Sequence, residues 1–194
     1  MKNHYFSQEE LTSSKPQCFQ YQFKLSVYTF TTDTGVFSVG KIDMATDILL
    51  NHIPPLSGSL LDMGCGYGCI GIILAKEYGL ELTQADINPR AVRLTIENAA
   101  HNGVISQVVQ SDQFSQIQGL FDTVVINPPI HAGKDVVFGM YEGAYRHLKP
   151  GGKLYIVILK KHGAESSINY LTKLFGHCHV IHKKKGCNVL CITR

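Results

Sequence analysis

The stretch LLDMGCGYGCIG, residues 60–71, decides the fold of this chain. An apolar run ends in Asp62, and Gly64, Gly66 and Gly68 then crowd a turn in front of a helix-like segment. Glycine at such positions permits positive φ and lets the backbone come close to a ligand. Because many nucleotide sites use a turn of this kind, the glycines alone predict a strand–turn–helix unit and leave the ligand open.

Outward from this turn, strand-like apolar runs alternate with helix-like periodic stretches as far as the C-terminus. Such alternation predicts βαβ units, a mostly parallel sheet and helices on both of its faces, which is a doubly wound, Rossmann-like α/β sandwich. The predicted strands are 59–63, 81–86, 104–110, 121–126, 153–159, 177–182 and 188–193, and the predicted helices are 69–78, 89–102, 135–148 and 164–175.

Both ends of the chain depart from this alternation. Only residues 183–186 join the last two strands, too few for a crossover helix, so the C-terminal strand is predicted to be antiparallel. Residues 21–30 alternate apolar with polar side chains, which predicts a small N-terminal β-meander packed against the main sheet. Asp43 is typical of an N-cap and predicts a helix that runs to about Asn51.

Length and composition indicate a globular protein. A chain of 194 residues can bury a stable hydrophobic core without disulfides or a structural metal ion. An apolar fraction of 44% with 17% charged residues is typical of globular proteins. The first ten residues carry no apolar export segment and no stretch approaches a membrane span, so we expect a cytoplasmic protein. We expect a single domain, 1–194, with the meander and first helix in 1–57 and the ligand-binding core in 58–194.

Cysteine spacing and net charge set further bounds. The six cysteines include no C-x-x-C pair, so we expect reduced thiols and no metal site. The net charge of +3 permits a polyanionic partner without requiring one. Basic residues are dense at 160–162 and 182–185, which fits solvated loops as well as a nucleic-acid contact.

Acidic residues follow three of the predicted parallel strands, at the edge where open α/β sheets bind ligands. Asp62 would repel a pyrophosphate and attract a cationic group, and Cys69 replaces the last glycine of the dinucleotide pattern. S-adenosylmethionine fits these features because it carries an ammonium and a sulfonium and no phosphate. Asp86, 18 residues after Gly68, is expected at the ribose hydroxyls, and Asp112 is placed to accept from an adenine amine.

The strand at 121–126 runs into Asn127-Pro128-Pro129 at this same edge. Pro128 biases Asn127 towards extended geometry, and the two rings fix the carbonyls that follow. The Asn127 side-chain oxygen and the Pro128 carbonyl can then accept both hydrogens of an exocyclic amine. Because a sulfonium methyl is already activated, positioning supplies most of the catalysis in this hypothesis. A plain strand terminator would explain the prolines but not the asparagine.

The segments LDMGCGYGCIG, ADINPRAV, SDQF and NPPI together resemble class I S-adenosylmethionine-dependent methyltransferases of the N-P-P amino-methylating group. GVFSVGKIDMATDILL, NPPIHAGK and LKKHGAESSINYL are more narrowly similar to the small-domain methyltransferase family. That family includes the catalytic half of ribosomal RNA small-subunit (guanine-N2) methyltransferase C. The similarity runs from about residue 4 to the end of the chain.

The resemblance implies S-adenosylmethionine as the cofactor and a set of residues around it. The first strand end would hold the methionine part, the second the ribose and the third the adenine. The implied cofactor residues are Asp62, Gly64, Cys65, Gly66, Gly68, Asp86, Ile87, Asp112, Gln113 and Asn127.

The resemblance also implies a substrate, a guanine exocyclic amine in ribosomal RNA or the small ribosomal subunit, flipped into the pocket. Asn127-Pro128-Pro129 would grip this amine, with Phe37 and Lys41 at the mouth of the site. Ile130 stands where many N-P-P enzymes have a stacking aromatic residue, and His131 is an open candidate for a contact with substrate or phosphate.

Three alternatives stay open at this point. A protein glutamine N5-methyltransferase would present an amide NH2 to the same grip, and a non-catalytic ribosome-assembly module would use only the basic segments. A nicotinamide-dependent reductase is opposed by Cys69 and Asp62. We expect a monomer or a weak homodimer, without membrane contact.

Overall fold

The computed structural model describes residues 12–194, so the prediction about an export segment in the first ten residues lies outside the described part. The alternation of strands and helices predicted from the sequence is confirmed. The strands are β1 (Gln17–Phe23), β2 (Ser26–Thr32), β3 (Ser59–Met63), β4 (Glu81–Asp86), β5 (Ser106–Gln110), β6 (Phe121–Ile126), β7 (Leu148–Leu159), β8 (His179–Lys184) and β9 (Cys187–Thr193). The helices are α1 (Met44–His52), α2 (Cys69–Tyr78), α3 (Pro89–His101), α4 (Lys134–His147) and α5 (Ala164–Phe175).

The seven strands β3 to β9 form one sheet in the order β5-β4-β3-β6-β7-β9-β8. The pairs from β5 to β7 are parallel, and β9 runs antiparallel between β7 and β8. The mostly parallel sheet with an antiparallel C-terminal strand is therefore confirmed. Chain order reverses between β3 and β6, and ligands of open α/β sheets bind at such a switch point, beyond the carboxyl ends of the strands.

Two apolar cores, one on each face of the sheet, hold the layers together. Successive side chains of a strand point to opposite faces, so Val125 packs under α1 and α2 while Val124 and Ile126 pack under α4. All three are fully buried, which explains why the central strands are apolar throughout rather than alternating.

The predicted N-terminal antiparallel unit is present as the two-stranded hairpin β1–β2. Asn98 of α3 and the C-cap residue Asn102 bind the outer edge of β2 in the manner of a neighbouring strand. Asn98 accepts from the Thr31 amide at 2.8 Å and donates to its carbonyl at 2.9 Å, and Asn102 makes the same pair of bonds to Thr29. These bonds satisfy the edge of the strand and fix the hairpin beside the glycine turn.

None of the helices in residues 12–194 is long and apolar enough to cross a bilayer. The six cysteines are free thiols, as the sequence predicts.

Candidate active site

A cavity of about 830 Å³ opens beyond the carboxyl ends of β3, β4 and β6. Its lining includes three carboxylates, those of Asp43, Asp86 and Asp112, and no Lys or Arg from the described residues. Such a wall attracts a cationic ligand and repels phosphate. The cavity therefore fits S-adenosylmethionine better than a dinucleotide.

The glycine turn forms one wall of the cavity. Gly64, Gly66 and Gly68 adopt φ of 74°, 59° and 91°, values that other residues reach only at a cost in strain. Gly64, Cys65 and Gly66 line the cavity, as expected. Gly68 does not, because it faces α3, where a Cβ atom would lie 2.9 Å from Thr95 Cγ2. Glycine at this position thus allows close packing of the turn against the helix. That Gly68 borders the cofactor stays a prediction.

Asp62 lies behind the turn, with only 1% of its surface exposed. Its Oδ2 accepts from the Gly71 amide at 2.9 Å and from Gln84 Nε2 at 3.1 Å. Burial raises the pKa of Asp62 to about 6, and these two hydrogen bonds oppose the rise. The Asp62 carboxylate anchors the first turn of α2 beneath the glycines and is outside the cavity lining. Its contact with the methionine part of the cofactor stays a prediction.

Asp86, at the end of β4, is one of the three carboxylates that line the cavity. Its Oδ2 accepts from the Gly66 amide at 2.8 Å and its Oδ1 from the Asn88 amide at 2.9 Å, which ties the glycine turn to the next strand. Burial raises the pKa of Asp86 to about 6, so the group is ionised at neutral pH. Asn88 caps α3 by accepting from the Arg90 amide, which leaves Asp86 free of that task.

The remaining predicted cofactor residues lie beside Asp86 at successive strand ends. Ile87 follows it directly, and Asp112 and Gln113 follow β5; all three line the cavity. Asp112 is exposed within the opening, and Gln113 has a left-handed φ of 49°. The turn is held by buried Ser111, whose hydroxyl donates to the Gln113 carbonyl at 2.7 Å.

The Asn127-Pro128-Pro129 corner lines the cavity across from the glycine turn. The Pro128 carbonyl accepts from the Ile130 amide at 2.9 Å, and Pro129 has φ −76° and ψ 77°. This is an inverse γ-turn, which the proline ring stabilises because its φ is already set. The carbonyl oxygen keeps a second lone pair that can accept another hydrogen bond.

The Asn127 side chain is held by a residue that sequence reasoning missed. Asn127 Nδ2 donates to Thr46 Oγ1 at 3.0 Å across a separation of 81 residues. Thr46 is 3% exposed and sits in the first turn of α1, where the N-cap Asp43 accepts from its amide at 3.2 Å. With the nitrogen bound to Thr46, the side-chain oxygen of Asn127 is the free end of the amide. The only sequence signal near Thr46 was the N-cap.

The mouth of the cavity is apolar on one side and has two histidines on the other. Phe37, 46% exposed, and Ile130 line it, and the rings of His131 and His162 meet at 5.9 Å between centroids. The pKa of His162 is lowered by burial and by Lys161 and His131. Lys41 lies outside the cavity lining, and its carbonyl accepts from Tyr67 Oη at 3.1 Å. Its place at the mouth of the site stays a prediction.

Within residues 12–194, no three or more His, Cys, Asp or Glu side chains are grouped closely enough to hold a metal ion.

An anion-lined cavity at the switch point, faced by a fixed amide, defines the class: this is a class I S-adenosylmethionine-dependent methyltransferase. The chain belongs to the methyltransferase small domain family, whose model matches residues 27–191. The fold, the family and the cofactor predicted from the sequence are thereby confirmed.

Individual relatives are similar over different lengths. The protein named "Uncharacterized protein YbxB" of Bacillus subtilis (strain 168) is 40% identical over 196 residues, 98% of each chain. Ribosomal RNA small subunit methyltransferase C of Aeromonas hydrophila is 43% identical over 128 residues, covering 63% of this chain and 37% of that protein. The T. thermophilus 16S rRNA N2 methyltransferase RsmC, solved with AdoMet and guanosine, superimposes with a TM-score of 0.83 at 26% identity, covering 96% of this chain and 52% of that one. The chain therefore spans about half, or less, of the methyltransferases it matches that are named for ribosomal RNA.

Proposed function

We propose that this protein methylates the exocyclic N2 amine of a guanine in small-subunit ribosomal RNA. The observation that carries the proposal is the fixed pair of acceptors at the cavity wall. Thr46 binds the nitrogen of the Asn127 amide, which leaves the oxygen to accept beside the Pro128 carbonyl. Two rigid acceptors match the two hydrogens of one NH2 group. The relatives named as ribosomal RNA methyltransferases support guanine as the base that carries this group.

The cofactor would be held along three strand ends. Gly64, Cys65 and Gly66 leave backbone room for the methionine part, Asp86 offers a carboxylate to the ribose hydroxyls, and Asp112 with Ile87 and Gln113 borders the adenine. Bound there, S-adenosylmethionine supplies an electrophilic methyl group on a positively charged sulfur.

The chain itself contributes orientation and charge. When the Asn127 oxygen and the Pro128 carbonyl each accept one hydrogen of the amine, the nitrogen lone pair points out of the NH2 plane. Because these acceptors sit on a buried strand end and a γ-turn, they need no reorganisation during the reaction. Their partial negative charge also stabilises the positive charge that develops on the nitrogen.

The target base would pack at the mouth between Phe37 and Ile130. Phe37 is exposed enough for its ring to stack on a base, a contact worth about 1–3 kcal/mol. Ile130 offers an aliphatic face at the position next to the grip, and His131 lies beyond it at the rim. This arrangement gives stacking from the loop before α1 rather than from the residue after Pro129.

The proposal is tested with methyl-labelled S-adenosylmethionine and four separate acceptors: deproteinised 16S ribosomal RNA, 23S ribosomal RNA, assembled small subunits and release factors. We expect label in 16S RNA or small subunits, recovered after nuclease digestion as N2-methylguanosine. Asn127→Ala serves as the matched inactive control. Label only in protein would establish the glutamine alternative, and absence of label in every acceptor would favour the non-catalytic module.

A further inference from the structure

Two basic clusters that lie more than twenty residues apart in the sequence meet at one corner of the sheet. Lys160 and Lys161 begin the 3-10 turn after β7, and Lys183–Lys185 form the end of β8 and its link to β9. The Lys160 amide donates to the Gly186 carbonyl at 2.7 Å. Pairing of Cys187 with both Leu159 and Lys184 fixes the three strands side by side at this point.

This corner is continuous with the mouth of the active-site cavity. His162 belongs to the same 3-10 turn as the two lysines and lines the cavity, where its ring meets that of His131. A basic strip, defined as Lys160, Lys161 and Lys183–Lys185, therefore leads outward from the site, with His162 between it and the cavity. Its width from β7 to β8 is two strand spacings, about 10 Å.

The five lysines of the strip are exposed, and within residues 12–194 none of them forms an ion pair. Two lysines elsewhere are paired instead: Lys149 with Asp122 at 2.7 Å and Lys24 with Glu77 at 3.7 Å. Unpaired like charges repel one another, and a polyanion that neutralises several of them releases its own counterions. The strip thus has the charge that a phosphodiester backbone requires.

The cavity and the strip have opposite polarity, which assigns them different parts of one ligand. Three aspartates and no Lys or Arg line the cavity in the described chain, so phosphates are disfavoured inside. We propose that the strip binds the phosphate backbone of the RNA strand next to the target nucleotide, while only the base enters the cavity. This inference rests on the proposed function and names the surface by which the substrate is held.

The test compares two double variants with the same change in charge. Lys184→Glu/Lys185→Glu removes two lysines of the strip. Lys153→Glu/Lys173→Glu removes two exposed lysines elsewhere, one in the middle of β7 and one on α5. RNA affinity and KM for RNA are measured from 50 to 300 mM salt, together with the affinity for S-adenosylmethionine.

Loss of two phosphate contacts lowers the slope of log affinity against log salt by about 1.4 for single-stranded RNA. At physiological salt this weakens RNA binding about tenfold, and we expect it as a rise in KM for RNA. The affinity for S-adenosylmethionine and kcat at saturating RNA stay unchanged. The control variant keeps the wild-type slope.

Equal slopes for the two double variants would overturn the inference while leaving RNA methylation by the wild type intact. If the wild type labels only protein, the proposed function fails. Gel retardation of RNA by the wild type and the variants then still shows whether the strip binds RNA. Should Lys184→Glu/Lys185→Glu fail to fold, judged by circular dichroism, Lys160→Glu/Lys161→Glu gives the same comparison, with the same change in charge, at the other half of the strip.

Discussion

The two edges of the central sheet carry aspartates of opposite character. Asp122, at the amino-terminal edge, accepts from Lys149 Nζ at 2.7 Å and from the Ser59 amide and hydroxyl at 2.8 Å. The hydrogen bond from Lys149 is the main reason that the pKa of Asp122 is lowered to about 2. Asp86, at the carboxyl edge, has backbone amides as its bonded partners, and burial raises its pKa to about 6.

The difference separates an acid that is paired with a lysine from one that faces the cavity without a cationic partner among the described residues. Asp122 is paired where water already screens both charges. Holding Asp86 half-buried without a cation costs stability, and such a cost persists at sites where a ligand supplies the missing partner. The same edge also holds the Asn127 amide, so the charged and the neutral acceptors of the site share one side of the sheet.

The largest effect is expected from Asn127→Ala. Removing the amide that orients the acceptor amine should lower kcat by about 100-fold or more, because misplaced reactants lose most of the positional advantage. The affinity for S-adenosylmethionine, measured by calorimetry, should change by less than about threefold, a small effect on the scale of one hydrogen bond. Asp122→Asn, at the other edge, is the control and should keep full activity. A fall in kcat of less than about threefold for Asn127→Ala would contradict the proposed grip.

Asp86→Asn should weaken S-adenosylmethionine binding by about tenfold or more, since hydrogen bonds to a charged acceptor contribute about 1.5–3 kcal/mol. The raised pKa adds a pH dependence to the wild type. The carboxylate is ionised above pH 6 and accepts from the ribose, and it is protonated below pH 6, so affinity should fall as the pH drops through about 6.

This pH dependence is tested by calorimetric titration of wild type and Asp86→Asn with S-adenosylmethionine between pH 5 and 8. Each protein is checked for an unchanged melting transition. Wild-type affinity that stays flat over the range would show that Asp86 does not bind the cofactor. The variant should bind weakly at every pH.

Thr46→Val should produce a smaller loss. It removes one neutral hydrogen bond, worth about 1 kcal/mol, and frees the Asn127 amide to rotate, so kcat should fall about fivefold. Cofactor affinity should not change, and Thr46→Ser, which keeps the hydroxyl, should restore kcat. A purely structural role would instead lower the melting temperature of both variants without separating their kcat values.

The smallest effect is expected for Asp122→Asn. A lowered pKa means that Asp122 stabilises the fold above its unfolded pKa of about 4 and loses this contribution as the pH falls towards 2. Both Asp122 and Lys149 are more than one-third exposed, so screening limits the loss in the variant to about 0.5–1 kcal/mol at pH 7. Urea unfolding at pH 7 and pH 3 measures it: the difference between wild type and variant should shrink at the lower pH.

Local signals in the sequence were enough to predict most of the helices and strands. The bounds of α2, α5, β3, β4 and β6 match their predictions, because glycines, caps and apolar runs act within a few residues. β7 begins at Leu148, five residues before its predicted start, since Phe121 pairs with Leu148 on the neighbouring strand. That pairing comes from another part of the chain and leaves no local mark.

The residues of the site divide in the same way, into those that the sequence predicts and those whose position depends on distant contacts. The sequence by itself determined which acceptors stand at the strand ends, because parallel strands bring their carboxyl ends to one edge: Asp86, Asp112 and Asn127 all line the cavity. Only the tertiary structure decided that Asp62 turns inwards to Gly71, that Thr46 fixes Asn127, and that β9 inserts between β7 and β8. These outcomes depend on contacts between residues distant in the chain, whose energies are set by packing and burial rather than by spacing in the sequence.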